Sequence, residues 1–162
     1  MDMYEYAIQM EKDAEALYLD LAEKSKVSGI KKVFKMLAED EVRHRKAIEK
    51  LQNNTMAASQ KGSAREIATV FEEIKHNFRN LKLDDNVVKD YERALEIEKK
   101  GIAHYKKQFE ETKDPKIKEL YEVLMKHESY HLKTVDNLLD MVRKPEWWVE
   151  NAEFTPKGDD YY

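Results

Sequence analysis

The chain repeats itself. Shifted by 87 residues, positions 4–51 align with 91–138 without a gap, and 16 of the 48 pairs are identical. Among them are Tyr4/Tyr91, Ala7/Ala94, Glu11/Glu98, Ala16/Ala103, Tyr18/Tyr105, Leu37/Leu124, Glu41/Glu128 and His44/His131. A period of this kind marks one supersecondary unit used twice. Whatever residues 4–51 build, 91–138 build again, and the fold must bury the apolar faces of both copies against each other.

That unit is a helical hairpin. Four Gly and three Pro against 38% charged residues leave few breakers among many straight-chain helix formers. Residues 2–26 place Ala7, Ala14, Leu17, Tyr18 and Leu21 on one helical face, and Asp2 with Glu5 three later marks the start. Ser28 and Gly29 are expected to break this helix. A second periodic run follows through Ile30, Val33, Phe34, Leu37 and Leu51 and ends near QNNT. In the other copy, Asp84 or Asp85 caps a helix running to about Lys113, and Asp114 with Pro115 starts a last helix that fades near KPEWW. Short links at Val27–Ser28 and Lys113–Asp114 force two antiparallel hairpins. Between them, Ile67, Phe71, Ile74, Phe78 and Leu81 read as a short amphipathic crossover helix. The expected architecture is all-α: a four-helix bundle spanning residues 1–143, with hairpins 2–54 and 85–143 and a long crossover 55–84. The remaining segment, 144–162, contains PEWWVENAEFTPKGDDYY and is expected to cover a bundle end or a dimer surface through residues such as Trp147 and Trp148.

The repeat also duplicates a polar pattern. EVRH at 41–44 has a twin, ESYH at 128–131. A single Glu three residues before a His is ordinarily a solvated pair on a helix surface. Here Glu11 lies about 16 residues before its hairpin link, and Glu41 and His44 about 13 to 16 after it, so at ~1.5 Å per residue all three sit at one height. Glu98, Glu128 and His131 repeat the arrangement. Their phase is inward, since Glu11 shares a face with Ala7, Ala14 and Tyr18, and Glu41 and His44 share theirs with Leu37, Ile48 and Leu51. Unpaired carboxylates in a bundle interior cost several kcal/mol each or take up protons. Four carboxylates and two divalent cations balance in charge, so a dinuclear metal site is the expected solution.

Charge and composition narrow the rest. The net charge is −4 with the signs interspersed, which leaves no basic stripe for nucleic acid. No apolar run approaches the roughly 20 residues that span a bilayer, and the N-terminus is acidic and amphipathic rather than signal-like, so a cytoplasmic protein is expected. The absence of cysteine excludes thiolate ligands and leaves oxygen and imidazole, a donor set suited to iron or manganese and acceptable to zinc. Tyr18 and Tyr105, two turns beyond Glu11 and Glu98, are candidates to bond a ligand carboxylate or simply to pack. His127, which turns about 100° from Glu128, is expected to be a surface or structural residue. His76 and His104, which lack repeat partners, are expected to be the same.

One Glu from each of two helices with Glu-x-x-His from each of the other two resembles the ferritin-like di-iron carboxylate proteins. The strings AIQMEKDAEALYLDLA, FKMLAEDEVRH, ALEIEKKGIAHYKK and LYEVLMKHESYH are most similar to the rubrerythrin branch, over roughly residues 3–142. The resemblance implies a ferritin-like bundle with Glu11, Glu41, His44, Glu98, Glu128 and His131 as ligands to two iron ions, Glu41 and Glu128 bridging. It also implies an oxidoreductase acting on peroxide or O2. The chain departs from that family in two respects. It lacks the four cysteines of an appended rubredoxin-like domain, so electrons are expected from an external donor protein. Gly101, matched by Ala14, stands where rubrerythrins carry a further carboxylate. A ferroxidase or iron-handling role of ferritin type is the alternative, and a metal-stapled bundle serving as an interaction module is a third. The tail lacks the character of a fifth cage helix, which favours a homodimer or small homo-oligomer.

Overall fold

A computed structural model describes residues 1–54, 63–77 and 85–143, apart from the side chains of 71–77 and 85. Within them the helices are α1 (Met3–Lys24), α2 (Ser28–Gln52), α3 (Ala64–Asn77), α4 (Asp85–Glu111) and α5 (Pro115–Arg143). α1 with α2 and α4 with α5 form two hairpins, α1 packs on α4, and α3 lies on α2. The architecture is the all-α, ferritin-like bundle with a helix in its crossover that the repeat implies.

Local chemistry explains the boundaries. The Asp2 carboxylate accepts from the backbone of Tyr4 at 2.9 Å and Glu5 at 2.8 Å, while the Glu5 carboxylate accepts from the Asp2 backbone at 3.0 Å, closing a capping box. α5 opens with Pro115 in its first position and the Asp114 carboxylate accepting from Lys116 N at 2.9 Å. α2 stops where Asn54 turns left-handed at φ 56°.

The hairpin links correct two expectations. Ser28 and Gly29 do not break the chain; they form the first turn of α2, and the break is Ser25–Val27. Helix α4 ends at Glu111 rather than Lys113. The cause is the same in both hairpins, at the repeat-related pair Ser25 and Thr112. The Ser25 hydroxyl accepts from Val27 N at 3.4 Å, and the Thr112 hydroxyl accepts from Asp114 N at 3.3 Å. A hydroxyl that bonds the backbone two residues on competes with the helical ladder and ends it.

The apolar core falls into two clusters. One gathers Leu17, Leu21, Ile30, Val33, Phe34, Leu37, Tyr91 and Leu138, and the other gathers Ala7, Ile48, Leu51, Tyr105, Tyr121 and Leu124. On α1, Glu11 falls between Ala7 of one cluster and Ala14 of the other; on α2, Glu41 falls between Ala38 and Ile48. A polar layer therefore interrupts the core at mid-bundle. In α3, Ile67 and Val70 are buried against the bundle as its periodicity requires. The expected positions of Phe78, Leu81, Asp84 and the 144–162 tail, and the side chains of Phe71 and Ile74, lie outside the described residues. Among the described residues no helix is long and apolar enough to cross a membrane.

Candidate metal centre

The polar layer contains all six residues that the repeat singles out. Glu11 on α1, Glu41 and His44 on α2, Glu98 on α4, and Glu128 and His131 on α5 are all buried. They form two overlapping groups: Glu11, Glu41, His44 and Glu128 in one, and Glu41, Glu98, Glu128 and His131 in the other. In each group one donor atom per residue lies within 4.8 Å of the others. Glu41 and Glu128 belong to both.

The two histidines point the same way into this layer. His44 Nδ1 lies 3.2 Å from Glu41 Oε2, 3.1 Å from Glu128 Oε1 and 3.5 Å from Glu11 Oε2. His131 Nδ1 lies 3.0 Å from Glu41 Oε1, 3.5 Å from Glu128 Oε2 and 3.6 Å from Glu98 Oε1. Tyrosines hold the terminal carboxylates, and they do so across the hairpins: the Tyr18 hydroxyl donates to Glu98 Oε1 and the Tyr105 hydroxyl to Glu11 Oε1. Glu98 Oε2 is buried with no hydrogen-bond partner among the described residues. A cleft between α1 and α4, lined by Met10, Ala14, Ile97 and Gly101, leads to the carboxylates of Glu11, Glu41, Glu98 and Glu128.

Without cations the layer balances its charge with protons. Burial, reinforced by the neighbouring Glu41, pushes the Glu11 carboxyl up to about 8; burial and the neighbouring Glu128 do the same to Glu98. Burial opposes charge on His44, but Glu128, Glu11 and Glu41 outweigh it and raise the imidazole well above its usual value. His131 is raised likewise against burial, by Glu41, Asp40 and Glu128. Burial and the Glu11 charge push Glu128 upward, yet hydrogen bonding from Glu98 and the charge on His44 leave it below the usual carboxylate range. Two charged imidazoles and two protonated carboxyls thus stand where two divalent cations, each carrying two charges, would displace four protons.

The sequence model of the rubrerythrin family matches residues 2–139. The chain belongs to the rubrerythrin family. Neither a curated protein nor a solved structure matches it. In a rubrerythrin, this buried Glu/His cluster points to a di-metal site. The donors fit one: hard oxygens and one imidazole per group, close enough to share an ion, with the unpartnered Glu98 oxygen buried among them.

Two residues of this rubrerythrin escape reasoning from the motif alone. Behind His131, Asp40 Oδ2 lies 2.9 Å from Nε2; behind His44, His127 Nδ1 lies 2.9 Å from Nε2. Asp40 was hidden in an acidic run, EDE, where a solvated side chain is the ordinary outcome. His127 is no surface residue: it is fully buried and stacks on His44 with ring centroids 5.1 Å apart. Its turn away from Glu128 takes it off the carboxylates and behind the histidine of the other hairpin. The available signal was the repeat, since positions 40 and 127 are equivalent. His104 is half-buried against Tyr6 at 5.0 Å and stays away from the centre, while the side chain of His76 lies outside the described residues.

Proposed function

We propose that this rubrerythrin holds two iron ions and reduces peroxide or O2 with electrons drawn from an external donor protein. Glu11, Glu41, His44 and Glu128 would hold one ion, and Glu41, Glu98, Glu128 and His131 the other. When bound, the iron pair supplies two electrons at one place, the number that reduces peroxide to water. The observation that carries this reading is the pairing of two four-residue donor sets through shared Glu41 and Glu128, which line a cleft between α1 and α4.

The chain's own part is to position and to exclude. Tyr18 and Tyr105 fix the terminal carboxylates from the opposite hairpin, which holds each donor in place before anything binds. Apolar clusters on both sides keep bulk water from the layer. Ala14 and Gly101 put small residues on the cleft wall beside Glu128, whose Cδ lies 3.7 Å from where a Cβ on Gly101 would stand. A cleft of this kind suits a small oxidant. The 162 residues contain no cysteine and so no thiolate-bound electron centre, which supports an external donor as the source of electrons.

Loading the protein with two equivalents of Fe(II) without oxygen, then adding peroxide, tests the proposal. Ferric absorption in the near ultraviolet is expected to rise at one peroxide consumed per two irons, much faster than with free Fe(II). Bound iron that is oxidised no faster than free iron would sink it. Size-exclusion chromatography on the same sample is expected to show a dimer or small oligomer; a large shell would support iron handling instead.

A further inference from the structure

The duplicated hairpins are nearly symmetric at the donors and asymmetric directly behind them. Both groups contain Glu41 and Glu128, one further glutamate and one histidine presenting Nδ1. Both histidines have Nε2 engaged by the residue that precedes the shared glutamate of the other hairpin. That residue is Asp40 on one side and His127 on the other, at equivalent repeat positions.

These two partners do different work. A carboxylate accepting from Nε2–H strengthens the imidazole as a donor through Nδ1 and fixes its tautomer. Asp40 is placed for this: it is fully buried, and its other contacts, from Ser63 Oγ at 2.8 Å, Ser63 N at 3.3 Å and the Arg43 guanidinium, hold it on His131. Arg43 and Ser63 Oγ bond Oδ1, while Oδ2 faces the imidazole and accepts from Ser63 N as well. His127 can accept from His44 through Nδ1, but as an imidazole it brings no negative charge.

We infer that the two metal positions are unequal by construction: the position at His131, backed by Asp40, takes a divalent cation first and more tightly than the position at His44, backed by His127. Asp40 and His127 are positioning residues that act through the two histidines. The inference rests on the metal-centre reading above. Loss of a residue of this kind ordinarily costs about 10–100-fold in metal affinity, which sets the expected difference between the positions.

The test is titration of the metal-free protein with Co(II), followed by calorimetry and visible absorption. Two steps are expected, with affinities about 10–100-fold apart. Glu98→Gln should weaken the first step and leave the second, whereas Glu11→Gln should do the reverse. Asp40→Asn should bring the two steps together by weakening the first. His127→Asp should strengthen the second, a gain that structural damage does not produce. Glu122→Gln, which removes an exposed carboxylate of α5 paired only with Lys126, controls for loss of a charge and should leave both steps unchanged. Two steps of equal affinity, a first step sensitive to Glu11→Gln instead of Glu98→Gln, or no change with Asp40→Asn and His127→Asp would overturn the inequality alone. Absence of any Co(II) binding in the folded protein would overturn the centre itself, and the inequality with it.

Discussion

Tyr18 and Tyr105 each give a hydroxyl proton to a carboxylate on the opposite hairpin, so each single side chain ties the two copies of the repeat together. Phenylalanine at either position keeps the packing and strips a buried acceptor of its donor, which costs about 1–3 kcal/mol. Tyr18→Phe and Tyr105→Phe are therefore each expected to lower stability in chemical denaturation by that amount, while Leu19, exposed on the same helix, is expected to tolerate polar substitution with little change. Gly101 behaves in the opposite direction. It sits mid-helix, where glycine costs about 0.5–1 kcal/mol relative to alanine, and an added Cβ meets Glu128 at an ordinary 3.7 Å. Gly101→Ala is expected to raise the denaturation midpoint, and a fall would show that the space beside Glu128 is needed by the carboxylate.

At the level of elements, the helix starts carry their own stability. Replacing Asp2 by Ala removes the acceptor of the α1 capping box and is expected to cost about 0.5–2 kcal/mol, read as a lower midpoint and as faster amide exchange in the first turn of α1. Features of this sort were legible in the sequence because one residue type at one offset specifies them: Asp2 with Glu5, and Asp114 before Pro115. The four long helices and the depth of the polar layer were legible for a related reason, since periodicity and rise per residue are properties of the backbone. The hairpin links were not, because Ser25 and Thr112 end their helices through hydroxyl bonds that compete on even terms with the ladder, while Ser28 and Gly29 carry stronger breaker signals and yet lie in helix. Asp40 and His127 were not legible from the motif either. Their role depends on a contact between hairpins, which a helical wheel for one element does not contain. The start of α3 belongs to this class as well: Ser63 bonds Asp40 and Arg43, and Ala64 O accepts from Tyr130 at 2.9 Å, which ties the start of α3 to α2 and α5.

For the whole molecule, the exchange of protons for cations dictates how stability follows pH. Glu11 and Glu98 are raised to about 8 in the fold, so their contribution is full below the usual carboxylate range and is lost as pH rises through about 8. His44 and His131 are raised well above the usual imidazole value, so theirs is full below that value and is lost as pH rises further. Asp40 and Glu128 are lowered and His127 is lowered to about 2, so these three penalise the fold only on the acid side. Above neutrality, then, every raised group works in the same direction, each at a slope on the order of 1.4 kcal/mol per pH unit while its fold and unfolded states differ by a full proton. The metal-free protein is expected to lose thermal stability steadily from pH 6.5 to 9. The loaded protein needs none of those protons, so its melting temperature is expected to hold over the same range. Removing metal should accordingly cost little at pH 6 and much at pH 9, a gap that thermal melts with chelator and with Mn(II) measure directly. Parallel curves across that range would mean that protons and cations do not compete for the same four groups, and the polar layer would then have to be stabilised by something other than the exchange.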